Sequence, residues 1–199
     1  MGIEEEPFLE SLMKAVGAVE EWLRAAGVKH TLIGGVAVAF LGEPRTTEDV
    51  DAIIEIDPGD LESFLELGRP FGIVGRTEDV VPFARKHYVL RLIYEPRAIP
   101  IDLSLAFTGF ELHAIGDSTM HEAFGLSFPL PLPEDLLVMK AFAGRTHDLG
   151  DIEGILDRNP NANLRTVREW LRQFDEASDD PTHLSDFDAI VRRRERQRG

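Results

Sequence analysis

Two aspartates one residue apart, Asp49 and Asp51, are the side chains in this sequence best placed to do chemistry. They flank Val50 and run into the apolar Ala52-Ile53-Ile54, a stretch that reads as a strand. Alternate residues of a strand point to one face, so the two carboxylates are expected to emerge side by side. Like charges that close repel unless a cation or a proton offsets them. Oxygen donors of this kind suit Mg²⁺, which phosphoryl-transfer sites hold with one or two carboxylates plus the substrate's phosphates.

The elements that must position this pair lie just upstream. Lys29-His30-Thr31-Leu32-Ile33 has the composition of a short strand, and Val36 to Leu41 reads as a short helix that Gly42 can stop. Between them stand Gly34 and Gly35. A strand, two glycines and a helix N-terminus let backbone N–H groups meet a phosphate with no Cβ in the way. A lone Gly-Gly is also an ordinary tight turn; the Asp-x-Asp that follows across Pro44 and Arg45 favours the phosphate reading.

The stretch Gly34-Gly35-x-Ala37-x-x-x-x-Gly42-x-x-Arg45-x-Thr47-x-Asp49-x-Asp51 resembles the signature of the polymerase-β-like nucleotidyltransferases. More narrowly, it is similar to the nucleotidyltransferase toxins of the AbiEii type. The superfamily's first motif is often Gly-Ser, where this chain has Gly-Gly. The resemblance covers roughly residues 30–156, by motif. It implies an α+β fold: a nucleotidyltransferase-like mixed sheet with flanking helices, followed by a C-terminal helical half. The expected division is a catalytic domain over 1–125 and a helical region over 126–199 that completes the nucleotide cleft. The resemblance also implies an NTP donor, two Mg²⁺ ions held by Asp49, Asp51 and Asp102, and phosphate or nucleotide contacts from Gly34, Gly35, Arg45, Lys140, Arg145 and Asp148. An RNA or protein acceptor and a cognate antitoxin are its implied partners.

Asp102 sits between Ile101 and Leu103 in a predicted strand over 99–105. A carboxylate in such a setting rarely lacks a partner. An ion pair with an arginine such as Arg91 is one expectation, and the third catalytic carboxylate of the resemblance is the other. Residues 86–94 are the strand expected to pair with it as a hairpin. Similarly, Lys140 and Arg145 close a predicted helix from Pro133 to Gly144. They can complement its dipole and pair with Asp148 or Asp151, or, as the resemblance implies, neutralise a triphosphate.

Elsewhere the reading is structural. Phe8, Leu9, Leu12, Met13, Val16, Val19, Trp22 and Leu23 recur at helical spacing between Pro7 and Ala26. A helix is expected after Asp57-Pro58-Gly59-Asp60, a loop over 68–78, and a proline-punctuated interdomain link over 126–133. Further helices are expected over 147–156, 164–174 and 184–191.

Composition narrows the function. A net charge of −15 argues against a general nucleic-acid surface, although Arg192 to Gly199 gathers five Arg against one Glu. That run reads as a solvated helix end or as an RNA-reaching arm. With no cysteine, thiolate metal sites and disulfides are excluded. The six histidines show no metal-ligand spacing. No P-loop or Gly-x-Ser-x-Gly motif occurs. No apolar run is long enough to span a bilayer, and Glu4-Glu5-Glu6 predicts no secretory leader, so a cytoplasmic location is expected. The competing functions are a toxin-like transferase acting on RNA or protein, a small-molecule (antibiotic-type) nucleotidyltransferase, and a non-catalytic nucleotide-binding antitoxin-type module.

Overall fold

The computed structural model describes residues 5–179 and 181–198; Glu4 and Gly199, at the two ends, lie outside them. The chain divides into two compact units, Met1–Val36 with Thr46–Leu130, and Ala37–Arg45 with Pro131–Gly199.

The first unit is built on a five-stranded sheet. Its strands are β1 (Lys29–Leu32), β2 (Val50–Glu55), β3 (Ile73–Gly75), β4 (Val89–Tyr94) and β5 (Ile99–Leu105), in the order β1-β2-β5-β4-β3. β2 and β5 pair in parallel and every other neighbour is antiparallel, so the sheet is mixed. Period-two alternation sets its two faces. Val50, Ala52 and Ile54 of β2, Ile101, Leu103 and Leu105 of β5, and Leu90 and Leu92 of β4 are all buried. Asp51, Asp102 and Arg91 alternate with them and therefore share the opposite face. Helix α1 (Glu5–Ala25) packs on β1, β2 and β5. Its Trp22 stacks on Phe64 of α3 (Leu61–Gly68) at 4.2 Å between ring centroids.

Three stretches differ from the sequence expectations, each for a local reason. The predicted loop over 68–78 contains a 3-10 turn, Arg69–Phe71, and then β3, an edge strand that buries Ile73. The predicted strand over 86–94 begins late, because Lys86 and His87 close α4 (Val80–His87), whose Val80, Val81 and Ala84 are buried at helical spacing. Tyr88, at φ 57°, makes the break before β4. The predicted link over 126–133 is mostly β7 (Leu126–Leu130), paired with β6 (Thr119–Ala123). Phe124 and Gly125 join them with positive φ at both positions, the requirement of a two-residue type I′ hairpin. Helix α5 (Gly109–Gly116), capped by Thr108 and Glu111, was not among the expected elements.

In the second unit, helices α6 (Pro133–Ala143), α7 (Thr146–Arg158), α8 (Leu164–Glu176) and α9 (His183–Arg198) pack around Leu136, Leu137, Ile152, Ile155, Val167, Leu171 and Phe187. The end of α2 (Gly34–Leu41) belongs here too: Asn159 Nδ2 donates to the Leu41 carbonyl at 2.6 Å. The Arg-rich run continues α9. Two of its arginines are engaged by carboxylates of α7, Arg193 with Glu153 and Arg194 with Asp157. No described helix is long and apolar enough to cross a membrane.

Candidate functional site

The turn from β1 into α2 accounts for the paired glycines. Gly34 has φ +60°, a left-handed conformation that costs a residue with a side chain about 1–2 kcal/mol. Space is equally restrictive. A Cβ on Gly34 would lie 2.0 Å from Asp51 Oδ2, and one on Gly35 2.2 Å from Thr47 Oγ1. The glycines therefore let Asp51 and Thr47 lie directly against the first turn of α2. The Ile33 N–H donates to the Asp51 carbonyl at 2.9 Å and holds the two strands together beside the turn. Thr47, itself buried, donates its hydroxyl to Asp49 Oδ1 at 2.9 Å and orients that carboxylate. Gly34→Ala is expected to destabilise the protein by about 1–2 kcal/mol from backbone strain alone, and to push the Asp51 carboxylate aside as well. Thermal melting and Mn²⁺ binding measured together test this. A variant with both unchanged would show that the turn relaxes freely.

Asp102 stands directly across from Asp51 on the parallel neighbour strand. The sequence left Arg91 as its candidate ion-pair partner, and the structure assigns the pair differently. Arg91 is opposite Asp102 in the β4–β5 ladder, but its guanidinium lies over the Phe83 ring, 4.6 Å from the centroid. The carboxylate is taken by Arg76, which follows β3. Arg76 Nε also donates to the Leu92 carbonyl at 2.9 Å, and its Nη2 to the Ile101 carbonyl at 3.4 Å. Nothing in the sequence marked Arg76, which lies 26 residues away in an irregular stretch. Burial raises the Asp102 carboxyl most strongly. Arg76 and Arg91 pull it down and Asp49 adds to the rise, leaving it above the ordinary range.

The donor set fits a hard cation in part. Asp49 and Asp51 offer only oxygens, and Thr47 fixes one of them. Among the described residues no group of three or more acidic or histidine side chains is placed to hold a metal ion. Mg²⁺ does not need such a group, since it is typically bound by one or two carboxylates with phosphates and water completing the shell.

The remaining expected site residues lie in the second unit, in a buried polar network. Lys140 Nζ is 3.0 Å from Asp148 Oδ1 and 2.8 Å from Asp151 Oδ2. Lys140, Asp148 and Asp151 are all buried. The other oxygen of Asp148 accepts the Arg145 N–H at 3.0 Å, capping α7. Arg45 Nε and Nη2 bind the two oxygens of Asp151 at 2.8 and 3.2 Å. Burial opposes the charge on Asp151 most strongly, yet the bonds and charges of Arg45 and Lys140 outweigh it and hold this carboxyl below the ordinary range. Asp148 thus faces Lys140 and a helix N-terminus, while Arg145 is exposed. The pairing of Lys140 with Asp148 and Asp151, one of the two readings of this segment, is what the structure displays.

No protein-family model matches the sequence, and no curated protein matches it. Solved structures do. An antigenic nucleotidyltransferase-like protein from Paracoccidioides brasiliensis is similar at a TM-score of 0.53 and 18% identity, over 90% of this chain and 91% of that one. The antibiotic-resistance factor ANT(2'')-Ia is similar at a TM-score of 0.51 and 13% identity, over 92% and 94% of the two chains. At such identities the likeness is one of fold. The chain has a nucleotidyltransferase-like α+β fold, with a five-stranded mixed sheet and a helical C-terminal part.

Proposed function

We propose that the chain is a metal-dependent nucleotidyltransferase of the AbiEii-like kind, moving a nucleoside monophosphate from an NTP to an acceptor hydroxyl on RNA. The observation that carries this reading is the parallel pairing that sets Asp51 beside Asp102 on one sheet face, with the Gly34 turn packed against Asp51. On this reading the start of α2 faces the donor phosphates, where the N–H groups of a first helical turn and the helix dipole favour anions. Asp49 and Asp51 would hold Mg²⁺. Such an ion supplies Lewis-acid charge to phosphoryl oxygens.

Asp102 is assigned to the acceptor. The hydroxyl oxygen forms the new bond to the α-phosphorus, the bond from that phosphorus to the bridging oxygen breaks, and pyrophosphate leaves. The hydroxyl proton goes to the Asp102 carboxylate. Arg76 fixes the orientation of that carboxylate through its contacts to Leu92 and Ile101. A second reading, transfer to a small antibiotic-type acceptor, draws support from the fold likeness to ANT(2'')-Ia.

The test is incubation with each α-labelled ribonucleoside triphosphate, Mg²⁺ and total cell RNA, with lysate protein and aminoglycosides as parallel acceptors. Label is expected in RNA and to vanish with chelator. Label in the drug alone would establish the second reading, and no label in any acceptor would overturn both.

A further inference from the structure

Arg91 is an arginine whose natural partner has been taken. It faces Asp102 directly across the β4–β5 ladder, on the side of the sheet that carries Asp51. In a chain with 36 acidic and 21 basic residues, a guanidinium beside a carboxylate would ordinarily close on it. Here Arg76 occupies the carboxylate, anchored by two main-chain carbonyls. Among the described residues the Arg91 guanidinium makes no hydrogen bond or ion pair. It rests on the Phe83 ring, a contact that seats a cation while leaving its N–H donors unspent. The side chain is exposed.

Position gives this cation a meaning. Across the sheet the order is the glycine turn after β1, Asp51 on β2, Asp102 on β5 and Arg91 on β4. Two strand spacings, about 10 Å, separate the backbones of Asp51 and Arg91. The donor's phosphates are assigned to the glycine side, so Arg91 lies beyond Asp102, where the acceptor must approach.

We propose that Arg91, seated on Phe83 and released from Asp102 by Arg76, is an acceptor-binding residue that takes a phosphate group of the incoming strand near its reacting hydroxyl. The proposal rests on the nucleotidyl-transfer reading and deepens it, because a free guanidinium there attracts a phosphodiester and repels a polycationic drug. Arginine suits the role, since its planar fork matches phosphate geometry.

The probes are a fluorescently labelled single-stranded oligoribonucleotide with a free 3′ hydroxyl, for anisotropy, and unlabelled ATP with Mg²⁺, for calorimetry. Arg91→Ala is expected to weaken RNA binding about tenfold. It should also make the plot of log affinity against log salt shallower by about 0.7, the loss of one phosphate contact on a single strand. ATP affinity should hold. Arg91→Lys retains the charge and is expected to keep the slope. Arg76→Gln should weaken RNA binding as well, because Arg91 is then drawn onto Asp102. Circular dichroism checks that each variant is folded.

Unchanged RNA affinity and slope in Arg91→Ala would overturn the proposal, as would an equal loss for ATP, which would place Arg91 on the donor. A wild type that binds ATP and no RNA would also overturn it while leaving nucleotidyl transfer standing. A wild type that binds no nucleoside triphosphate at all would instead sink the nucleotidyl-transfer reading itself.

Discussion

Asp49→Asn and Asp51→Asn are each expected to lower nucleotidyl transfer by at least a hundredfold without unfolding the protein. The figure is a floor, because losing merely an outer-shell partner of a metal ligand already costs about 10–100-fold. Each substitution keeps the shape of the side chain and removes one charge. For Asp51 that shape matters, since its carboxylate lies where a Cβ on Gly34 would have to go. For Asp49 the Asn side-chain oxygen can still accept from Thr47 Oγ1. The metal-free protein should therefore melt at the same temperature or slightly higher, because one of several neighbouring negative charges is gone. Divalent-ion affinity should fall along with transfer, which Mn²⁺ titration followed by electron paramagnetic resonance reads without any turnover. If either variant transferred nucleotide at near wild-type rate, these carboxylates would not be the metal-binding pair. Asp102→Asn serves as the contrast: it is expected to cost transfer while leaving a larger share of Mn²⁺ binding intact, since Arg76 already holds that carboxylate.

Much of the sheet face was legible because period-two alternation carries its own register. Val50, Ala52 and Ile54 form one buried set, which leaves Asp51 on the other face with Ile53, itself buried, and Ile101-Asp102-Leu103 repeats the pattern. The pairing of Asp51 with Asp102 follows from two such strands lying parallel. That parallel arrangement is seen only in the structure, because strand order and direction are not written in local periodicity. The Gly-Gly turn was legible as a turn, while the reason for it was not. Clearance for Asp51 and Thr47 is a tertiary contact between residues that a sequence shows only as separated by short spacings.

What remained hidden were partners chosen from a distance. The sequence pointed to Arg91 for Asp102, and the choice of Arg76 depends on where β3 ends and on the Leu92 and Ile101 carbonyls. The β6–β7 hairpin was masked by prolines. Pro129 nonetheless sits in the ladder opposite Met120, and its carbonyl accepts from the buried Thr31 hydroxyl at 3.4 Å. Segment 37–45 was read with the catalytic half. Contacts made far along the chain, Arg45 with Asp151 and Leu41 with Asn159, place it with the C-terminal helices.

Lys140→Ala is expected to destabilise the helical unit by about 3–5 kcal/mol, the scale of breaking a buried ion pair by removing one partner. Lys140 is buried and lies within 3.0 Å of one oxygen on each of two aspartates that are almost wholly buried themselves. Its loss leaves two carboxylates in a poorly solvated setting, balanced among the described residues by Arg45, the His147 ring 3.5 Å from Asp148 and the start of α7. At about 2–4 °C per kcal/mol for a chain of this size, melting should fall by on the order of 10 °C. Acid sensitivity supplies a second signature. The folded pKa of Asp151 lies below its unfolded value, so its contribution is present above the ordinary carboxylate range and is lost as pH falls through the depressed folded pKa. Without Lys140 that depression shrinks, and the acid limb of the stability curve should begin at a higher pH. Lys140→Met combined with Asp148→Asn and Asp151→Asn removes the stranded charges along with the cation. It is expected to recover a substantial part of the loss, as apolar or neutral replacements of whole buried ion clusters commonly do. Calorimetric scans of wild type, Lys140→Ala and the triple variant over a pH series decide the matter. If Lys140→Ala melted like wild type while losing affinity for ATP, Lys140 would belong to the phosphate grip after all, and its pairing with Asp148 and Asp151 would be a resting arrangement of a substrate-binding cation.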